Sequence, residues 1–424
     1  MSGLFTEAHA LAQDLADPLA HFRALFHIPQ HQGRDQWYFC GNSLGLQPKS
    51  VRAALQQELD DWAAFGVEGH FHAKHPWMPY HTELRDLLAD CVGAKPLEVV
   101  AMNSLTVNLH LLMVSFYRPT PTRSAIVIEQ GAFPSDRYAV ESQIRFHGHD
   151  PAECLIEVGA DSDSGLVTED ALAQVMAEHG HRVALVLWPG VQYRTGQAFD
   201  LRAISVLGHT HGSKVGFDLA HAVGNLPLQL HASGADFAAW CSYKYLNAGP
   251  GAIAGAFVHE RHATAALPRF NGWWGHRQDT RFKMGAEFQG SPGADGWQLS
   301  NPPILAMAPL RASLEIFQQA GIDALRRKSK ALTGYLAALI AQELAGVIRN
   351  VTPADPERRG CQLSLQVLAG REAGRALFEH LMAEGVIGDW REPDVIRLSP
   401  TPLYNRFGDC YHAVRVIKQW ADAR

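Results

Sequence analysis

After an amphipathic N-terminal stretch, short apolar runs rich in β-branched residues alternate with longer segments whose apolar positions recur at helical spacing. That alternation predicts a largely parallel sheet covered by helices. Residues 97–102, 124–129, 183–188 and 214–218 read as strands, followed respectively by a helix from about Thr106, a helix after Pro134, a loop and a turn. An open α/β sheet binds its ligand beyond the C-terminal ends of its strands, so the residues just past each run are the places to look for chemistry.

Residues 271–303 are rich in Gly, Pro and Trp and precede two long helical patterns at 304–319 and 322–344. The tail reads strand 362–367, helix 372–384, strand 395–399 and helix 408–423, enough for a small α/β unit. The expected organisation is an N-terminal helical segment, 1–40, packed on the small unit, then a large domain over 41–303 and a small C-terminal domain over 304–424. The chain contains no internal repeat and no low-complexity segment.

With 424 residues, 47% of them hydrophobic, the chain can bury a large core without covalent staples. Its 37 basic and 43 acidic residues leave a formal charge of −6, which argues against binding nucleic acid or anionic membranes through phosphate neutralisation and favours a small-molecule partner. Six scattered cysteines without a C-x-x-C pair suggest neither a disulfide framework nor a thiolate zinc site. The acidic start, with Glu7, Asp14 and Asp17, lacks the basic-then-apolar order of an export signal, and no apolar segment approaches the roughly 18 residues of a membrane span. A soluble, cytoplasmic protein is expected.

Candidate chemistry concentrates in a few places. Cys241-Ser242-Tyr243-Lys244-Tyr245-Leu246-Asn247 sets a lysine among aromatics before a glycine-rich turn. Such a lysine can be an ordinary turn residue; partial burial would suit it to attack a carbonyl and form a Schiff base. Val215-Gly216-Phe217 ends in Asp218, with His221 three residues on. An aspartate there can simply cap a turn, or it can keep a pyridine nitrogen protonated, as an electron-sink cofactor requires. The helix start at Leu105 and Thr106 offers free amides for a phosphate. Phe133-Pro134-Ser135-Asp136 follows another strand and could stack on a flat ring and supply polar contacts, although it also reads as a helix start with Pro near its first position. Two rivals are weaker: the histidines of residues 70–75 lack a carboxylate or cysteine in a ligand spacing, and the glycines of 249–255 fall one residue off a dinucleotide loop.

Taken together these pieces resemble the kynureninase family, within the fold type I pyridoxal-phosphate enzymes related to class V aminotransferases. The resemblance runs from Gly41-Asn42-Ser43-Leu44-Gly45-Leu46-Gln47-Pro48 to Pro402-Leu403-Tyr404-Asn405. Its most specific stretches are Gly216-Phe217-Asp218-Leu219-Ala220-His221 and Ser242-Tyr243-Lys244-Tyr245, supported by Thr280-Arg281-Phe282-Lys283-Met284, Ser300-Asn301-Pro302-Pro303 and Arg359-Gly360-Cys361-Gln362. It implies a mostly parallel seven-stranded sheet flanked by helices, a smaller C-terminal α/β domain, and a homodimer.

The resemblance also implies roles. Lys244 carries pyridoxal 5′-phosphate as a Schiff base, Asp218 pairs with the ring nitrogen, His221 supports that pairing, and Tyr243 touches the phosphate and helps proton transfer. Leu105, Thr106, Phe133, Pro134, Ser135 and Asp136 complete the cofactor site, with Trp273 and Asn301 contributing near a dimer interface. Arg397 grips the substrate α-carboxylate, and His70, Ser43, Ser300 and Asn301 surround the substrate's aromatic end. The implied reaction is hydrolysis of the Cβ–Cγ bond of L-kynurenine, or its 3-hydroxy derivative, to the anthranilate and L-alanine, in tryptophan catabolism and pyridine nucleotide synthesis. Where the family usually has a Ser or Thr before a strand-end glycine, this chain has Pro189. The alternatives are a cysteine desulfurase or aminotransferase relative, and a non-catalytic binding protein on the same fold.

Overall fold

The computed structural model describes residues 5–162 and 164–424; the first four residues of the expected N-terminal segment lie outside the described residues. Seven strands form the central sheet, in spatial order Val99–Ala101, Gly255–Val258, Phe237–Trp240, Lys214–Asp218, Val183–Pro189, Ala125–Glu129 and Leu155–Val158. The five from Phe237–Trp240 onward pair in parallel, and Gly255–Val258 runs antiparallel to both of its neighbours. Both faces are buried, so the strands read as continuous apolar runs: Ala125 and Val127 point into one core, Ile126 and Ile128 into the other. The helices that cover them start on ordinary caps, Thr168 accepting from Ala171 N at 3.1 Å and Asp200 from Ala203 N at 2.9 Å.

Strand order places the site. From Ala125–Glu129 the chain passes outward to Leu155–Val158, then crosses back to Val183–Pro189 and continues the opposite way to Lys214–Asp218. Reversal at that point opens a crevice at the C-terminal ends of the parallel strands, which here are Glu129, Pro189 and Asp218.

A second, four-stranded antiparallel sheet has the order Ile348–Asn350, Leu363–Val367, Val395–Leu398, Asp389–Arg391. It shares a separate core with the helices Ile322–Glu343, Arg371–Ala383 and Phe407–Asp422. The N-terminal helix Glu7–Ala16 lies against Phe407–Asp422, and the two oxygens of Asp14 accept from Phe407 N at 2.6 Å and Gly408 N at 3.0 Å, satisfying open amides of that helix start. The packing departs from the expected boundary at 303. Helix Ile304–Ala320 buries Met307, Leu310, Leu314 and Phe317 in the core of the large sheet, beside helices Ser50–Phe65 and Tyr80–Val92. A change of composition marked the loop before it, whereas its apolar face belongs to the unit upstream.

Two of the family-like motifs meet at close backbone contacts. Gly45 N donates to Tyr243 O at 2.8 Å, and a Cβ on Gly45 would lie 2.3 Å from Lys244 O. Gly360 packs on Asn225, where a Cβ would come within 2.2 Å of Nδ2, while Cys361 N donates to Asn225 Oδ1 at 2.9 Å. No side chain fits at either glycine. Among the described residues no helix is long and apolar enough to cross a membrane.

Candidate active site

The crevice deepens into a cavity of about 310 Å³ whose lining includes Leu105, Thr106, Phe133, Ser135, Asp136, Asp218, His221, Tyr243 and Lys244. They arrive from four separate segments of the chain. Lys244 stands in the tight loop after strand Phe237–Trp240, held by Asn247 N to Lys244 O at 3.0 Å and Ala248 N to Ser242 O at 3.0 Å, with Asn247 in the left-handed region at φ 53°. Its Nζ lies 2.9 Å from His221 Nε2 and 6.0 Å from the centre of the Phe133 ring. Asp218 ends its strand, and its Oδ1 accepts from Ala220 N at 2.7 Å. His221 is fixed from behind, since Asn225 Nδ2 donates to its carbonyl at 2.9 Å.

Opposite stands the start of helix Leu105–Phe116. Ser104 forms no side-chain cap there, so the first-turn N–H groups remain open, and beside them the hydroxyls of Thr106 and Ser135 lie 2.9 Å apart. Open amides on a positive helix end next to two hydroxyls suit a phosphate. Phe133 meets Tyr193 edge-on, ring centres 5.3 Å apart, which leaves its face free to cover a planar ring.

Charges at the floor are unevenly distributed. Burial, the neighbouring Asp218 carboxylate and Glu129 push Asp136 well above the usual carboxylate range, although Lys244 opposes this. Glu129, also buried, is pushed up to about 8, mainly by desolvation and partly by Asp218, while a hydrogen bond from Gln192 works the other way. Burial, with Lys244 and Arg397 adding, holds His221 well below the ordinary histidine range, so its ring is neutral. Desolvation raises the Tyr243 phenol, which keeps its proton at neutral pH.

Four buried side-chain atoms of the lining, Asp136 Oδ1, Glu129 Oε2, His221 Nδ1 and Trp188 Nε1, have no protein partner. Orphaned polar atoms are rare in a settled core and are accounted for by a polar guest. Amine, strand-end carboxylate, open helix start and free aromatic face are together what pyridoxal 5′-phosphate requires, so the lining fits that group.

The remaining expected residues lie elsewhere in the chain. Pro134 opens its helix at the surface; Ser300, Asn301 and Trp273 are exposed; His70 Nδ1 donates to Val67 O at 2.9 Å; Ser43 is half-buried. Arg397 is fully buried behind the cavity wall, where its Nη1 donates to Tyr193 O at 2.7 Å. Pro189 does line the cavity. Sequence reasoning passed over Glu129, Trp188, Val191 and Tyr193, which line it as well. Glu129 carried a usable signal, since it ends an apolar run as Asp218 does; the loop residues carried none. Away from the cavity, Glu98, His231 and His259 bring three possible metal ligands together, but Glu98 Oε1 already accepts from His231 Nδ1 and Glu260 N, and His259 Nδ1 from Arg261 N.

Residues 325–417 match the model of the kynureninase C-terminal domain. The chain is 62% identical over 423 residues to a kynureninase of Xanthomonas euvesicatoria pv. vesicatoria, covering 100% of both chains. It is 61% identical over 422 residues to one of Stenotrophomonas maltophilia, covering 99% of this chain and 100% of that one. Among solved structures it is similar to the cysteine desulfurase CsdA of Escherichia coli, with a TM-score of 0.76 at 18% identity over 96% of this chain and 98% of that one. It is also similar to a C-DES variant with glycine covalently linked to its PLP cofactor, with a TM-score of 0.75 at 18% identity over 90% and 96% of the two chains. The last two likenesses concern the fold.

Proposed function

The chain belongs to the kynureninase family, and from that premise we propose that its cavity holds pyridoxal 5′-phosphate and hydrolyses the Cβ–Cγ bond of L-kynurenine to anthranilate and L-alanine. The observation that carries the reading is the convergence of Lys244, Asp218 and the Leu105–Thr106 helix start on one cavity. When bound, the cofactor supplies an aldehyde for imine exchange and a protonated ring that takes up the electrons released at Cα.

The residues divide the remaining work. The first-turn amides at Leu105 and Thr106, with the hydroxyls of Thr106 and Ser135, bind the phosphate, and Phe133 covers one ring face. Asp218 holds the proton on the ring nitrogen, and His221 and Asp136 brace that end of the ring. Arg397 grips the α-carboxylate of the substrate, a task suited to its forked donors. Lys244 Nζ, which would hold the cofactor aldehyde at rest, would take the Cα proton when free. Water adds to the γ-carbonyl, whose carbon leaves as the carboxyl of anthranilate, and the Tyr243 phenol delivers the proton that completes the methyl group of alanine.

We further read the protein as a cytoplasmic homodimer. Supporting this, Val67, Phe71, Phe282 and Met284 are large apolar side chains left exposed near Trp273 and His70 in the sequence, and all six cysteines are free. On this reading a second copy brings Trp273, Asn301, Ser300 and His70 to the site. We place the boundary between the two units near Gly321, where the first core ends.

Fluorescence of anthranilate on incubating the purified holoenzyme with L-kynurenine tests the proposal. Absence of anthranilate together with turnover of L-cysteine or a keto acid would replace it with a desulfurase or aminotransferase reading.

A further inference from the structure

Arg397 lies on strand Val395–Leu398, and Asp389 stands directly across from it on the neighbouring antiparallel strand. Directly opposed residues share a face of the sheet, as do residues two apart, so Arg391 joins them on that side. The Asp389 carboxylate sits between two guanidinium groups, with Oδ2 2.7 Å from Arg397 Nη2 and Oδ1 3.2 Å from Arg391 Nε. On the other flank Ser364, paired with Arg397 in register, donates to Arg194 O at 2.6 Å, and Arg397 Nη1 donates to Tyr193 O at 2.7 Å. The guanidinium is thus held on two sides against the loop whose Tyr193 lines the cavity.

Arg397 is wholly buried, its Nε has no hydrogen-bond partner, and its Nη2 meets Asp389 as an ion pair and not as an aligned hydrogen bond. A buried donor left over beside an ion-paired one marks the edge of an arginine that can take a carboxylate. Such a grip works only while the plane of the fork is fixed.

We propose that Asp389 is the positioning residue of the substrate-carboxylate clamp: it holds Arg397 and Arg391 together on one face and keeps the guanidinium plane of Arg397, with its unpaired Nε, turned toward the incoming α-carboxylate. The inference rests on the reading of Arg397 as the carboxylate-binding residue. Two effects oppose each other when Asp389 loses its charge. The site becomes more positive, which attracts a carboxylate, and Arg397 loses one of its two anchors while facing an unscreened Arg391. A two-pronged grip depends on orientation, and the second effect dominates.

The experiment uses the holoenzyme carrying Asp389→Asn, Asp389→Glu or Arg397→Lys, with L-kynurenine and with its decarboxylated amine analogue. For Asp389→Asn, KM for L-kynurenine rises about tenfold or more while kcat changes by less than about threefold, and the dissociation constant of the decarboxylated analogue is unchanged. Asp389→Glu recovers part of the loss. Tighter binding of L-kynurenine, or equal weakening of both ligands, overturns the proposal. Should Asp389→Asn fail to fold by circular dichroism, Asp389→Glu carries the same test, with a rise in KM confined to the carboxylate-bearing ligand as the expected result and an equal change in both as the overturning one. If Arg397→Lys does not separate the two ligands, the reading of Arg397 itself fails; if it does and the Asp389 variants do not, only the role of Asp389 falls.

Discussion

Lys244 Nζ and His221 Nε2 lie 2.9 Å apart at the centre of the cavity. Burial keeps the imidazole neutral, so Nε2 accepts from the lysine and the ring proton sits on Nδ1, which has no protein partner. The contact aims the lysine before the cofactor arrives. Replacing His221 by Phe is expected to weaken cofactor binding by about 10-fold to 100-fold, the cost of a half-buried charged donor losing its partner. Titration of the apoprotein followed by visible absorbance measures this, and an unchanged affinity would refute it. Lys244→Ala is expected to lose the borohydride-trapped mass shift altogether.

Asp218 and Asp136 look alike in sequence and have different tasks. Burial and the Asp218 carboxylate next to it push Asp136 well above the usual carboxylate range, which favours its protonated form. An amide imitates a neutral acid and cannot imitate a carboxylate. Asp218→Asn is therefore expected to cut turnover by about 10²–10³-fold, and Asp136→Asn by roughly tenfold or less. Steady-state rates with L-kynurenine decide; equal losses would mean that the two acids share one charge role.

Much of this site could be read from residues because its parts end strands or open helices, which leave marks in sequence. Asp218 follows Val215-Gly216-Phe217, and Glu129 follows Ala125-Ile126-Val127-Ile128 in the same way, but only Asp218 has a histidine three residues on to set it apart from an ordinary strand end. Strands Phe237–Trp240 and Leu155–Val158 have no clear sequence mark, since four residues carry little periodicity. The pairing of Asp389 with Arg397 depends on strand register, and the coverage of the cavity by Tyr193 depends on an irregular loop; neither has a local pattern. That helix Ile304–Ala320 buries its apolar face in the core of the large sheet was not legible, because amphipathicity reveals that a face is buried without revealing against what.

At the opposite end of the sheet Asp236 acts as a hub. Its carboxylate meets His262 Nε2 at 2.7 Å, His209 Nε2 at 2.8 Å, Arg261 Nη2 at 2.8 Å and Val215 N at 2.8 Å, with Lys214 at 3.6 Å. These partners overcome its burial and hold it far below the usual carboxylate range, so its contribution is present above the unfolded pKa and persists deep into acid. Asp236→Asn leaves those donors short of a charge and is expected to cost about 3–5 kcal/mol. Urea unfolding measures it, with the activity of the folded fraction retained; a loss below about 1 kcal/mol would mean the hub is solvated in practice.

Glu129 gives a pH dependence of the opposite sign. Its carboxyl is pushed from 4.5 up to about 8 by burial and by Asp218. Below 4.5 both folded and unfolded chains carry the proton and nothing is lost. Between 4.5 and about 8 the unfolded chain gives it up while the folded chain keeps it, so stability falls as pH rises, and above about 8 the penalty stays at its full size. That penalty is on the order of a few kcal/mol. Gln has the shape of the protonated acid and no proton to lose, so Glu129→Gln is expected to raise the melting temperature relative to the unaltered protein by more at pH 8 than at pH 5. Melting curves of both proteins across that range provide the check. A difference that does not grow with pH would show that Glu129 is ionised in the fold, and the cavity floor would then carry one more negative charge than its surroundings can support.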